Sequence, residues 1–276
     1  MKTWLVTGAA RGLGRAIAIA ALEAGDAVVL TARQEAALGD IVARFPQRSH
    51  ALRLDVTRAG DAESAVAAAV ARFGNLDVLV NNAGYGLVGA IEELQPNEYR
   101  ALFDTNVFGL IETTKAALPI FRQQGSGLIV NISSVGGMNG RAGFGLYNAS
   151  KFAVEGFSEA LAEEVAPFGT RVMVVEPGAF RTDFLDASSI VVADRRMPEY
   201  DATAANARSH VETDSGAQAG DPRRAALVIL DAVNADVRPF RLPLGADSYR
   251  RIEWKLERVA EDIAPWKAAA TDTAFK

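Results

Sequence analysis

Short apolar runs rich in β-branched residues alternate with helical patterns from the first residue to about residue 180, and this rhythm constrains the fold more than any other feature. Neighbouring strands that run parallel need a crossover of a dozen or more residues, usually a helix, so the alternation predicts crossover units around a parallel sheet. The runs are Thr3 to Thr7, Ala27 to Thr31, Ala51 to Leu54, Leu76 to Val80, Gly127 to Asn131 and Arg171 to Glu176. They are apolar throughout, as strands covered on both faces are. Arg241 to Leu244 fits a seventh. Between them, Leu13 to Ala24, Gln34 to Phe45, Ala59 to Phe73, Pro96 to Gln124 and Tyr147 to Phe168 repeat their apolar positions with the helical period, with Gly or Pro near several ends.

No internal repeat and no Pro- or Ser-rich linker divides the chain, so residues 1–276 read as a single domain. Residues 183–221 mix polar, small and scattered apolar residues with weak periodicity. Long connections of that kind tend to be functional, and a substrate lid is expected, a disordered insert being the alternative. After Pro222 come a helix to about Asn234, the seventh strand, and a helical extension over 246–270 that contains Trp254 and Trp266. Closing the pocket, supporting an interface and packing inside are all open to these tryptophans, packing being the commonest fate of Trp.

Composition removes several functions. Acidic residues number 34 against 29 Lys and Arg, a formal charge of −5, which disfavours a nucleic-acid partner. With no cysteine there is no disulfide, thiolate metal site or cysteine nucleophile, and His50 and His210 offer no close ligand cluster, so no metal is expected. No apolar run approaches the roughly 18 residues that span a bilayer, and Met1 leads directly into a strand pattern. The expectation is a soluble cytoplasmic protein without a membrane partner.

The first strand runs into Thr7-Gly8-Ala9-Ala10-Arg11-Gly12-Leu13-Gly14, and an amphipathic helix opens at once. Three glycines permit a tight turn and close approach to a pyrophosphate, while the helix start offers free N–H groups and the positive end of its dipole. The spacing departs from the common G-x-G-x-x-G pattern and reads T-G-x-x-x-G-x-G. With it come Asn81-Asn82-Ala83-Gly84 after the fourth strand, Asn106 in the long fifth helix, Ser134 after the fifth strand, Tyr147-x-x-x-Lys151, and Pro177-Gly178 with Thr182 after the sixth.

In these motifs, over about residues 3 to 182, the chain resembles the classical short-chain dehydrogenase/reductase family. The resemblance implies an α/β fold with one doubly wound, Rossmann-type parallel sheet of seven strands, helices on both faces, and a C-terminal lid and helical extension. It also implies hydride transfer between a nicotinamide cofactor and a carbonyl or alcohol. The dinucleotide would lie against Gly8, Arg11, Gly12, Leu13, Gly14, Arg33, Asp55, Val56, Asn82, Ala83, Gly84, Pro177, Gly178 and Thr182. Tyr147 would act as acid in reduction and base in oxidation, and Lys151 would hold the nicotinamide ribose. Ser134 would polarise the carbonyl, with Ser133 as the alternative, and Asn106 would hold a water linking the lysine to solvent. The two long helices resemble those that pair across a dyad, implying a homodimer or homotetramer.

Residue chemistry refines the reading. An NAD-selecting site places Asp or Glu at the end of strand two to accept the ribose 2′-hydroxyl, whereas the run here is Leu30-Thr31-Ala32-Arg33. Arg33 and Arg11 suit a 2′-phosphate, so NADP(H) is expected over NAD(H). A phenol with pKa about 10 must fall by about three units, or about 4 kcal/mol, to trade protons near neutrality. Lys151 lies one helical turn from Tyr147, and an ammonium at about 5 Å contributes about 3.3 kcal/mol at an effective dielectric of about 20. The substrate pocket is expected from Tyr85, Val135 to Met138, Phe144, Gly178, Phe180, Phe184 and Leu185, with no cation obvious among them, although Arg141 and Arg181 lie close in sequence. A neutral, hydrophobic aldehyde or ketone follows. The alternatives are a catalytically silent nicotinamide-binding regulatory protein and an NAD-preferring alcohol dehydrogenase.

Overall fold

The computed structural model describes residues 1–186 and 189–275. Seven strands form one parallel sheet: β1 (Thr3–Val6), β2 (Ala27–Ala32), β3 (Ser49–Arg53), β4 (Val78–Asn81), β6 (Gly127–Ile132), β7 (Thr170–Pro177) and β9 (Arg241–Leu244). Their order is β3-β2-β1-β4-β6-β7-β9, every pairing parallel, with Trp4 level with Val28 on one side and Val78 on the other. Two short strands, β5 (Gly86–Val88) and β8 (Ile190–Val192), pair separately. The seven main runs are those legible in the sequence, shifted by a residue or two at most ends.

Because successive side chains in a strand face opposite ways, the continuous apolar runs supply two cores. Trp4, Val6, Val28, Leu30 and Val80 pack on one face against Ile17 and Leu22 of α1 (Gly12–Glu23) and Ile229 and Val233 of α8 (Pro222–Asn234). Leu5, Val29, Leu79 and Ile129 pack on the other against Val66 of α3 (Asp61–Phe73), Phe121 of α5 (Gly109–Gln124) and Leu161 of α6 (Gly145–Val165). Strand order turns back between β1 and β4, and in such sheets a crevice opens there beyond the carboxyl ends of the strands.

The helices depart from expectation in three places. Residues 34–45 form a 3-10 turn, Glu35–Leu38, followed by the short α2 (Gly39–Arg44). The long helix expected from Pro96 to Gln124 is α4 (Pro96–Phe103), a π-turn over Asp104–Phe108, and α5. Wide turns of this kind are often found at functional sites. Within residues 183–221, where 187 and 188 lie outside the described residues, the chain forms β8 and α7 (Asp201–Asp214). That segment is tied down by Glu93, which is fully buried and accepts from the backbone N–H of Ala90 (2.7 Å) and Met197 (2.9 Å) and from Arg208 of α7. Burial opposes its charge, yet these donors keep the Glu93 carboxyl below the usual carboxylate range.

The extension comprises α9 (Ala246–Ile263), a 3-10 turn and α10 (Lys267–Thr271). Its tryptophans are not packed inside: Trp254 is 54% exposed and Trp266 71%. Among the described residues no helix is long and apolar enough to cross a membrane, and no group of His, Cys, Asp and Glu could hold a metal ion.

Candidate active site

Beyond the carboxyl ends of β1, β4 and β6 lies a cavity of about 1480 Å³, larger than the roughly 300–1,000 Å³ of ordinary small-molecule clefts. Its first wall is the glycine loop. Gly8 and Gly12 have φ of +67° and +56°, conformations that side chains disfavour. Asn82 pins this loop to the turn after β4, its Nδ2 donating to the carbonyls of Thr7 (2.9 Å) and Gly8 (3.1 Å). The Thr7 hydroxyl receives the N–H groups of Asn82 (2.9 Å) and Ala83 (3.0 Å) in return. A methyl group on Gly14 would stand 2.3 Å from Asn82 Nδ2 and 2.6 Å from the Gly8 carbonyl oxygen. Gly14 therefore lets the helix start meet the strand and is not itself on the cavity wall. Farther along, β2 ends at Ala32 and leaves Arg33 on the lining, with Arg11, Asp55 and Val56. Burial pushes the Asp55 carboxyl up, but hydrogen bonds from the Thr57 hydroxyl (2.7 Å) and N–H (3.1 Å) and the charge of Arg33 hold it below its ordinary value.

The opposite end is built on α6, whose helical spacing brings both Tyr147 and Lys151 to the same cavity. The Tyr147 ring packs edge-on to Phe144 at 6.4 Å and tilted against Phe184 at 5.9 Å. Ser134 caps the turn after β6, its Oγ accepting from Gly136 N–H at 3.0 Å, and its hydroxyl lies beside the Tyr147 phenol and favours its ionised form. Ser133 does not share this geometry; its Oγ is buried without a hydrogen-bond partner. The Lys151 ammonium donates to the Ile132 carbonyl at 2.9 Å. Burial pushes the Tyr147 phenol up to about 12 against the Ser134 hydroxyl, and pulls Lys151 down to about 8 against the charge of Glu155. The simple Coulomb expectation is thus corrected: in the protein alone the removal of water from the phenol outweighs any help from the lysine.

Comparison with known proteins decides what this arrangement is. The family model described as short chain dehydrogenase matches residues 2–190. The chain belongs to the short-chain dehydrogenase/reductase family. It is 37% identical over 274 residues to oxidoreductase BOA17 of Botryotinia fuckeliana (strain B05.10), covering 99% of both chains. A short-chain dehydrogenase from Streptomyces avermitilis, known from its crystal structure, shares 44% identity with a TM-score of 0.92 over 99% of this chain and 100% of that one. A short chain dehydrogenase/reductase from Burkholderia phymatum in complex with NAD shares 25% identity and a TM-score of 0.83 over 95% of each. The protein is an oxidoreductase of a family that binds nicotinamide cofactors.

The residues of this dehydrogenase fit such a group. Gly8 and Gly12 bring bare backbone to the cleft, and the same cavity runs from them and Leu13 past Ala83 and Gly84 to Tyr147 and Lys151, with Pro177, Gly178 and Thr182 along its edge. Of the residues expected for substrate, Tyr85, Val135, Phe144, Phe180, Phe184 and Leu185 line it. Met138 does not; its sulfur turns outward to the Arg241 guanidinium at 3.5 Å. Asn106, placed by the π-turn, is also behind the wall. Its Oδ1 accepts from Tyr85 N–H at 3.0 Å, and its Nδ2 donates to the Tyr85 carbonyl at 2.9 Å and to Ser150 Oγ at 3.2 Å. It thus holds the loop after Gly84 in place.

Several lining residues lie outside the sequence motifs. Asp247 of α9 accepts from Ala179 N–H at 2.8 Å and fills the space beside Gly178, clamping the loop after β7. Asn148, His210, Gln218, Arg141 and Arg251 also reach the cavity. His210 and Arg251 arrive through α7 and α9, whose docking is tertiary, while Arg141 comes from the loop after β6, Asn148 from α6 and Gln218 from the turn after α7. Arg141 and Arg251 correct the expectation of a lining without cations.

Proposed function

We propose that the protein is an NADP(H)-dependent carbonyl reductase that works as an alcohol dehydrogenase in reverse, on a substrate with a hydrophobic body. The observation that carries this reading is the placing of Ser134 beside a buried Tyr147 phenol, on the cavity that also holds Lys151 and the glycine loop. A bound reduced nicotinamide supplies the hydride. Ser134 polarises the substrate carbonyl, and Tyr147, a neutral phenol throughout the physiological range, donates the proton its oxygen needs. Lys151, cationic below about pH 8, would hold the nicotinamide ribose and return that proton to Tyr147. Phe144, Phe184 and Leu185 exclude water and favour an apolar substrate, and residues 183–221 act as the lid that carries the last two.

NADP(H) preference rests on Arg33 where an NAD site would carry a carboxylate. A charge-assisted hydrogen bond contributes about 1.5–3 kcal/mol, so Arg33→Ala is expected to weaken NADPH binding about 10- to 100-fold and to spare NADH. Following the reduced-nicotinamide absorbance with NADPH and NADH in parallel, against aldehydes, ketones and alcohols, tests the reaction and the cofactor together. NADPH consumption with a carbonyl supports the reading. A clear NADH preference, untouched by Arg33→Ala, contradicts the assignment of the 2′-phosphate site.

The pH profile follows from Lys151. Burial favours its neutral amine, so the charge present below about pH 8 is lost as pH rises through that value, while Tyr147 stays protonated. Carbonyl reduction is expected to hold its kcat/KM up to about pH 8 and fall above it. A profile flat to pH 10 would remove the lysine from the mechanism. Assembly as a homodimer or homotetramer is supported by Phe108, 56% exposed beside α5, and Phe152, 45% exposed on α6. Sedimentation giving the mass of one chain would contradict it.

A further inference from the structure

Arg141 and Arg251 come from distant parts of the chain and meet on the lining that carries Ser134 and Tyr147. One short loop holds both. Arg141 follows β6, and its backbone N–H donates to Asn148 Oδ1 at 2.9 Å, fixing it beside the residue next to Tyr147. Arg251, in the second turn of α9, is half-buried and grips the same loop: its carbonyl accepts from Asn139 Nδ2 at 3.2 Å, and its Nη2 reaches the Asn139 carbonyl at 3.4 Å. Among the described residues neither guanidinium forms an ion pair. The carboxylate that faces Arg251, Asp247 one helical turn away, is committed to the Ala179 N–H. Burial and the like charge of Arg141 both hold Arg251 below the ordinary arginine range. Arg141 is exposed and Arg251 half-buried; two like charges at one wall repel unless an anion lies between them, and a guanidinium pair matches the planar oxygens of a carboxylate or the face of a phosphate. The rings of Phe144 and Phe184, packed against Tyr147, line the same cavity as this pair.

We propose that Arg141 and Arg251 form an oxyanion subsite, so that the substrate of this dehydrogenase is an oxo acid or phosphorylated carbonyl compound whose apolar segment separates the reacting carbonyl from an anionic terminus. The inference rests on the carbonyl reduction proposed above and names its substrate class. It replaces the neutral substrate expected from sequence, which assumed a lining without cations.

The test compares a medium-chain oxo-carboxylate with its methyl ester and with the matching oxo-alkyl phosphate, using NADPH. The wild type is expected to favour the acid over the ester by about tenfold or more in kcat/KM, and the phosphate arm shows which oxyanion is preferred. The acid-to-ester ratio should fall toward one in Arg251→Gln and in the double variant with Arg141→Gln. Arg251→Lys, which keeps the charge, should retain most of it. A wild-type ratio near one, or a ratio unmoved in the double variant, overturns the subsite while leaving carbonyl reduction intact. If neither carbonyl is reduced, the reaction assignment fails, and calorimetric binding of octanoate against octan-1-ol decides the subsite alone. Octanoate bound about tenfold tighter, with the difference lost in Arg251→Gln, upholds it; equal binding overturns it.

Discussion

Replacing Tyr147 by Phe is expected to lower single-turnover NADPH oxidation by at least about a thousandfold while NADPH still binds. Proton transfer by a positioned side chain is worth about 10²- to 10⁴-fold, and the neighbouring Ser134 cannot replace it, since an alcohol is a far weaker acid than a phenol and its hydroxyl is the group that polarises the carbonyl. The phenylalanine ring would keep the packing against Phe144 and Phe184 and lose only the hydroxyl. The fold should therefore survive, which separates loss of chemistry from loss of structure. Fluorescence titration with NADPH checks the second half. A variant that turns over within tenfold of the wild type would remove Tyr147 from the reaction.

Gly14→Ala is expected to act at the other end of the cleft, and as strongly. The added methyl would meet Asn82 Nδ2 at 2.3 Å and the Gly8 carbonyl at 2.6 Å. Neither can give way cheaply: the amide is fixed by its bonds to Thr7 and Gly8, and the carbonyl is backbone. Forcing a methyl into a filled space costs about 1–3 kcal/mol or more. The relaxation available is to push the glycine loop into the cavity, where the dinucleotide belongs. A lower Tm together with NADPH affinity reduced by at least about tenfold is the expected result. Unchanged affinity would mean that the loop does not bear on the cofactor.

How much of this was legible beforehand depends on whether a signal is local. The seven main strands were, because burial on both faces leaves continuous apolar runs, as in Val28-Val29-Leu30. The glycine loop, Ser134, Tyr147 and Lys151 were, because their spacing is itself the feature. The π-turn at 104–108 was not, since one extra residue in a helical turn leaves the apolar period almost intact. Its effect is to commit Asn106 to the Tyr85 backbone. Nor was the anchoring of residues 183–221 legible, because Glu93 meets Arg208 across 115 positions. Met138, Trp254 of α9 and Trp266 of the turn after it show the same limit, as the side of a loop or helix that faces the cleft is decided by what docks there.

Burial explains the one quantitative reversal. Spacing alone suggests that Lys151 makes the phenol acidic, yet the folded chain encloses Tyr147 so fully that its neutral form is favoured. A neutral phenol is the form that gives a proton in reduction. Oxidation needs the phenolate, and an added positive charge close by lowers a pKa by about 1–3 units.

The proposed role of Tyr147 is that of a buried proton donor at the reacting end of a dinucleotide cleft. Ultraviolet titration of its tyrosinate, taken as wild type minus Tyr147→Phe, measures this with and without saturating NADP⁺. No tyrosinate signal from this residue is expected up to pH 10 in the free protein, and ionisation at least about one unit lower is expected once NADP⁺ is bound. Ionisation near neutrality in the free protein, or a titration that NADP⁺ leaves unmoved, would contradict it.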